Sequence, residues 1–348
     1  MRVLALLHLY APHHCAGAEM AAHALLRALA DRGHEVDVLL SRPHPEITQP
    51  YTWDGVRVHP RRDKADPVRW LADAGRAPHV MVAHLECTNR ATILGGLYGV
   101  PVVHLLHNTH LPTKQALTRR PALAVANTRW MAEHLGAWWD AEQPGQLMPP
   151  TIVIHPPVDP AVYRTTPGTQ VTLVNCTPVK GSDTFYALAE RFPRTHFVAV
   201  EGAYGVQDRR QRPNVKWLAH VPGHKMRSVY RRTRVLLMPS EYESYGRVAI
   251  EAACSGIPTI AAPTPGLREA LGDAASYADR DDVDAWSAHL RRLLTPAGWS
   301  AASARATARV NELHTDADLD RWVSALEGVS RWNHSPHSTT SPPATPAH

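Results

Sequence analysis

At 348 residues the chain is long enough for about two domains of ordinary size. With 44% hydrophobic and 20% charged residues its composition is globular, and no run of 18 or more apolar residues provides a membrane span. A net charge of +5 suits phosphate-bearing ligands, anionic surfaces or nucleic acid alike, while the scattered Cys15, Cys87, Cys176 and Cys254 exclude a disulfide framework or zinc ribbon and fit a reducing cytoplasm.

The N-terminal apolar run breaks at His8 without a small-residue cleavage site, so residues 2–7 read as a buried first strand rather than a signal peptide. Further strand-like runs follow at residues 35–40, 79–84, 102–106 and 122–126. Between the first two, Ala22, Leu25, Leu26 and Leu29 recur at helical spacing and Gly33 supplies the stop. The prolines of TIVIHPPVDP (151–160) mark a rigid crossing. A second alternating series then occupies 171–175, 196–200, 215–220, 235–238 and 259–262. Strands alternating with helices predict two doubly wound α/β domains facing a cleft, with ligands beyond the carboxyl ends of the strands. The expected divisions are 1–165 for the first domain, 166–315 for the second, and 316–330 for a helix crossing back. Residues 331–348, whose end reads PHSTTSPPATPAH, form a disordered tail by composition.

The densest signal is PSEYESYGRVAIEAACSGIPTIA, residues 239–261. A strand ends at Met238, a turn follows, and a helix begins near Arg247. Glu243 precedes that helix and Glu251 lies about one turn inside it. Amides of Ser244, Tyr245, Gly246 and Arg247 then open the helix N-terminus, where a phosphate is favoured. The spacing sets a diphosphate between two carboxylates, one able to bond sugar hydroxyls and the other a ribose diol.

Here the chain resembles the family 4 retaining glycosyltransferases of GT-B fold. Their glutamate, seven residues, glutamate signature is matched by Glu243 and Glu251, with Ser244-Tyr245-Gly246 after the first and Ala252, Gly256 and Pro258 after the second. Lys180-Gly181 resembles the family's Lys-Gly, whose lysine meets the donor diphosphate. The resemblance also implies that Gly17 lies at a ligand-facing helix start, that Val221 sits by the nucleobase, and that His107 bonds the transferred sugar or acceptor hydroxyl. Asn127-Thr128 matches a small polar position, and reads equally as a helix cap. Where many members have Gly-Arg, this chain has Val174 and Asn175; Arg247 is expected to supply the missing positive charge.

The resemblance thus implies retaining transfer from a nucleotide-diphosphate sugar to an unidentified acceptor, with no metal and no cofactor beyond the donor. Pairing His107 and His110 with His13 or His14 as metal ligands lacks a helix to align them and any accompanying carboxylate. The Asp-x-Asp strings within 279–284 and 316–320 do not sit at strand ends. Alternatives are a nucleotide-sugar epimerase of the same architecture or an inactive nucleotide-sugar-binding protein. A nucleic-acid acceptor or peripheral membrane attachment is permitted by the charge and supported by no basic patch.

Overall fold

The computed structural model describes residues 1–42, 47–60 and 77–332; most of the tail expected at 331–348 lies outside the described residues. Among the described residues, the chain forms two sheets. The first contains β1 (Arg2–Leu7), β2 (Glu35–Leu40), β3 (Tyr51–Trp53), β4 (Val56–His59), β5 (Val80–His84), β6 (Val102–Leu106), β7 (Leu123–Ala126) and β8 (Thr151–Val153). Its order is β3-β4-β2-β1-β5-β6-β7-β8. Every pairing is parallel except the β3–β4 hairpin. The second sheet contains β9 (Gln170–Val174), β10 (Phe197–Val200), β11 (Val215–Leu218), β12 (Thr233–Met238), β13 (Thr259–Ala261) and β14 (Ser276–Tyr277). Its order is β11-β10-β9-β12-β13-β14, all parallel.

The central strands are continuous apolar runs because helices cover both faces; β6 and β7 are buried at every residue. The β3–β4 edge instead alternates, with Val56 and Val58 buried and Arg57 exposed. Its turn places Asp54 at φ 45 and Gly55 at φ 77, the left-handed pair that a tight two-residue hairpin requires. The supposed crossing at 151–160 begins with β8, which pairs with β7 before the prolines take the chain across.

Both sheets reverse strand order beside their first strand. β1 lies between β2 and β5, and β9 between β10 and β12. Such switch points open a crevice at the strands' carboxyl ends, and the two crevices face each other. The helix Gly17–Asp31 lays Ala22, Leu25, Leu26 and Leu29 on the first sheet. The helix Thr315–Trp332 returns to the same core, where buried Trp322 donates from its indole to Leu25 O at 2.8 Å.

A charged junction joins the crossing segment, the second domain and that returning helix. His155 Nε2 lies 2.9 Å from Glu269 Oε1, and its Nδ1 lies 3.1 Å from Asp318 Oδ2. Glu269 also accepts from Arg129 N at 2.8 Å and Trp130 N at 3.0 Å, so a carboxylate from one domain caps a helix of the other. Only a protonated imidazole can donate to both acids. Asp318 and then Glu269 accordingly raise the His155 pKa to about 9, against a partial opposing effect of burial.

A folded-state pKa above the unfolded one contributes stability that is complete below about pH 6.5 and lost as pH rises through about 9. His155→Ala is therefore expected to cost roughly 2–3 kcal/mol more near neutrality than above pH 10. Urea denaturation of both proteins at the two pH values measures the difference; equal losses would contradict the assignment.

Candidate active site

The facing crevices enclose a cavity of about 520 Å³ between the strand ends of the two domains. Gly17, His107 and Asn127 line it from the first domain, and Lys180, Val221, Glu243, Ser244, Tyr245, Gly246, Arg247 and Glu251 from the second. Every site residue expected from the sequence therefore borders one space, although their side chains are not equally available to a ligand.

Two loops form the floor. After β12 the chain turns through Glu243 to Gly246, whose φ of 91 favours glycine, and enters the helix Arg247–Ala253. After β9 it passes Lys180 to Gly181, at φ 85. A Cβ at Gly181 would stand 2.3 Å from Pro239 O, so glycine is what lets the lysine loop lie against the glutamate loop. The result is an ion pair, Lys180 Nζ to Glu243 Oε1 at 2.6 Å, with Ser240 Oγ donating to the same oxygen at 2.9 Å. Both charged side chains stay partly exposed to the cleft.

The second glutamate sits differently. Glu251 is 4% exposed, with Arg247 Nε 2.8 Å from Oε1 and the Tyr230 hydroxyl donating to Oε2 at 2.7 Å. The Nε–H is not aimed along that short contact, so the pair is ionic rather than an aligned hydrogen bond. Arg247 donates instead to Pro157 O and, at 3.1 Å, to the Tyr163 hydroxyl. Arg247, expected on the diphosphate, lines the cavity, but its guanidinium is drawn to Glu251 and the crossing segment rather than standing open like Lys180. Asn175 adds no charge; its φ is 65 and its amide oxygen accepts from Gln207 at 3.0 Å.

Ser244 is held from across the cleft, accepting Asn127 Nδ2 at 2.9 Å on its hydroxyl and Thr128 Oγ1 at 3.2 Å on its carbonyl. Thr128 meanwhile accepts from Met131 N at 3.2 Å, so the helix cap and the cross-domain contact are one residue. Tyr245 is 3% exposed, and its ring packs in the core. At Gly17 a Cβ would meet no protein atom within 4 Å, so packing within the protein does not demand glycine there.

His107 leaves Nε2 without a hydrogen-bond partner. Burial pushes its pKa down to about 4, with nearby Glu19 pulling upward, so the ring is neutral near pH 7. His104 is buried inside β6, and His110 stacks on Tyr242 at 5.1 Å. Among the described residues no three His, Cys, Asp or Glu side chains form a group that could hold a metal ion. Of the Asp-x-Asp residues, Asp282 caps the helix Val283–Leu294 and Asp318 meets His155. The four cysteines are buried and free.

Sequence reasoning missed Tyr242, whose hydroxyl accepts from Thr109 N at 3.0 Å across the cleft, and Tyr204, which reaches the buried Glu19. It also passed over His8 and His84, although histidines closing apolar runs were a readable signal.

Residues 16–143 match the "Glycosyl transferase 4-like domain" family, and residues 203–308 match "Glycosyl transferases group 1". The two matches fall on opposite walls of the cleft and together span well over half of the chain. The chain belongs to the family 4 glycosyltransferases.

This family 4 chain is 34% identical to the O-antigen chain mannosyltransferase B of Escherichia coli over 114 residues, 32% of this chain and 30% of that protein. The D-inositol 3-phosphate glycosyltransferase of Salinispora tropica is 37% identical over 33% of this chain and 23% of its own length. These matches thus span less than a third of either relative. A longer match, at 26% identity, joins 77% of this chain to 67% of the D-inositol 3-phosphate glycosyltransferase of Mycolicibacterium smegmatis. In structure the chain is similar to the sucrose-phosphate synthase of Thermosynechococcus elongatus, with TM-score 0.80, 16% identity, and coverage of 95% and 100%. It is also similar to Anabaena HepE in complex with UDP-glucose, with TM-score 0.77, 17% identity, and coverage of 94% and 100%. These likenesses establish the GT-B fold.

Arg247→Ala would strand the Glu251 carboxylate in the interior. The expected loss is about 3–5 kcal/mol of folding stability, most of it recovered when Glu251→Leu accompanies Arg247→Met. Equilibrium denaturation checks this; a single variant within about 0.5 kcal/mol of the parent would show the pair to be incidental.

Proposed function

We propose that the chain is a retaining glycosyltransferase that moves a sugar from a nucleotide-diphosphate donor to an acceptor hydroxyl presented by the first domain. The observation that carries this reading is the Lys180–Glu243 pair, held at 2.6 Å at the cleft floor and still open to it. A bound diphosphate competes for the ammonium, and the released carboxylate turns to the sugar hydroxyls. One binding event thus orders both groups.

Each remaining group has a defined part in this reading. Glu251, pinned by Arg247 and Tyr230, keeps unused lone pairs for a ribose diol. Arg247 acts through Glu251 rather than on the phosphates. First-turn amides from Gly246 onward meet the β-phosphate; the helix Arg247–Ala253 has only seven residues, so the free N–H groups matter more than its dipole. Charge gathering on the leaving diphosphate is offset by those donors and by Lys180, without a metal or further cofactor. Val221 borders the base, and Gly17 leaves space for the acceptor side. Neutral His107 offers Nε2 to a sugar or acceptor hydroxyl.

HepE was crystallised with UDP-glucose, and several relatives are named as glycosyltransferases of D-inositol 3-phosphate. A nucleotide sugar and a polyol acceptor are accordingly the first pair to try. Retention is proposed on the family resemblance alone. The buried free cysteines favour a reducing cytoplasm, and no helix among the described residues is long and apolar enough to cross a membrane.

Thermal-shift screening against nucleoside diphosphates and nucleotide sugars identifies the donor, since a ligand of the native state raises the melting temperature. Lys180→Ala is expected to weaken donor binding about 10- to 100-fold, as loss of a charge-assisted contact does. Glu243→Gln should keep nucleoside diphosphate affinity within about threefold and lower kcat at least tenfold (~1.4 kcal/mol). Unchanged donor affinity in Lys180→Ala would contradict the reading. Conversion of donor to a new nucleotide sugar without acceptor would make the protein an epimerase.

A further inference from the structure

Behind His107 lies a group of buried titratable side chains that the scheme above does not use. The neighbouring strands β1, β5 and β6 each deliver a histidine near the carboxyl end: His8 just after β1, His84 closing β5, and His107 just after β6. Their rings touch in succession, with centroids 5.1 Å apart for His8–His84 and 5.0 Å for His84–His107, the latter edge-on. At the far end stands Glu19, 1% exposed on the helix Gly17–Asp31. Its Oε1 lies 3.1 Å from His8 Nε2 and accepts the Tyr204 hydroxyl at 2.8 Å. Tyr204 comes from the other domain, after β10, and its hydroxyl also lies 3.2 Å from His8 Nε2.

This cluster leaves an unusual number of polar atoms unpaired. His8 Nδ1, Glu19 Oε2, both nitrogens of His84, and His107 Nε2 are buried without a hydrogen-bond partner. Native interiors pair such atoms, and a concentration of exceptions calls for a functional cause. A metal does not supply one, because among the described residues no three potential ligands group to hold an ion. Simple packing does not supply one either, since an apolar side chain would fill the position of His84 without stranding two nitrogens.

We propose that Glu19 is the positioning residue for His107: its buried carboxylate is the counter-charge that lets the imidazole cluster take up one proton during transfer, and Tyr204 fixes that carboxylate from the opposite domain. The inference rests on His107 standing at the reacting centre, as proposed above. In the step, the acceptor oxygen bonds to the anomeric carbon. The bond from that carbon to the phosphate oxygen breaks, its electron pair leaving on the diphosphate. The acceptor's proton goes to His107 Nε2, and then to the departing diphosphate. Glu19 offsets the imidazolium while it exists.

The charges around the pair are consistent with this role. Burial works against the Glu19 carboxylate, but His8, His84 and Tyr204 outweigh it and hold the pKa at about 2, so the negative charge is permanent. His107 is depressed first by burial; Glu19 from the helix then pulls its pKa up, and His8 from β1 pushes it down. His84 from β5 and His104 within β6 are depressed chiefly by burial and next by His107. Removing the Glu19 charge therefore removes an upward influence on His107. Around Tyr204, Arg42 and Glu86 pair with each other at 2.7 Å.

The test is Glu19→Gln, which keeps the shape and removes the charge, with Glu19→Asp as the charge-retaining control and Tyr204→Phe as the cross-domain variant. In ligand-free protein carrying ¹³C-labelled histidine, the His107 ring is expected to titrate at lower pH in Glu19→Gln than in the parent. Glu19→Asp should lie between them. In turnover, Glu19→Gln should lower kcat about tenfold or more with donor KM within about twofold, while the acid limb of the pH profile moves to lower pH. Tyr204→Phe should lower kcat in the same direction by less. A variant merely damaged in folding would lose activity without extending the profile toward acid. An unchanged His107 titration in a folded Glu19→Gln protein would overturn the proposal. A shifted titration in a protein that turns over no nucleotide sugar would leave the Glu19–His107 coupling standing and sink the functional reading instead.

Discussion

An ammonium and a carboxylate held together at the floor of an open cleft set the terms for the rest of this molecule. Lys180 and Glu243 come from loops after different strands, β9 and β12, and meet because those strands are neighbours in a parallel sheet. Gly181 permits the approach of one loop, and Gly266 permits the other: a Cβ there would stand 2.2 Å from Glu243 O. The clamp fixes the carboxylate in direction while leaving it accessible. A partly exposed pair of this kind adds little to stability, so its placement is better explained by what can displace it.

The buried pair beside it works in the opposite sense. Arg247 and Glu251 are one helical turn apart, 8% and 4% exposed, and tied to Pro157, Tyr163 and Tyr230. Desolvation makes such a pair costly to break and of small net benefit when intact. Its service is geometric: it fixes the head of the helix against the segment that crosses between domains. Together with the Glu269 cap and the His155 bridge, it adds ionic contacts between the two domains to the apolar docking of Trp322.

The strands with the longest apolar runs were legible in the sequence. Arg2–Leu7, Glu35–Leu40 and Val102–Leu106 have the limits that hydrophobicity gives them, because central parallel strands are buried on both faces. The β3–β4 hairpin carried a readable signal in Asp54-Gly55, and its alternation identifies an edge; attention to long apolar runs passes over it. β8 and β14 have three and two residues, too few for any period to show. At the site, Glu243, Lys180 and His107 followed from local strings in chain order. The role of Arg247 did not, because the partners that bind its guanidinium include Pro157 and Tyr163, far away in sequence. Nor did the row from His8 to His107: that contact depends on β1, β5 and β6 lying side by side, which is tertiary information.

In the proposed function a pyrophosphate belongs between the Lys180 loop and the head of the helix Arg247–Ala253. A crystal structure with the nucleoside diphosphate that most raises the melting temperature examines this directly. In that complex diphosphate oxygens are expected on Lys180 Nζ and on the first-turn amides, with the Lys180–Glu243 contact opened and Arg247 still paired with Glu251. A nucleotide bound outside the cleft, or bound with the Lys180–Glu243 contact unbroken and both glutamates turned from it, would contradict this placement.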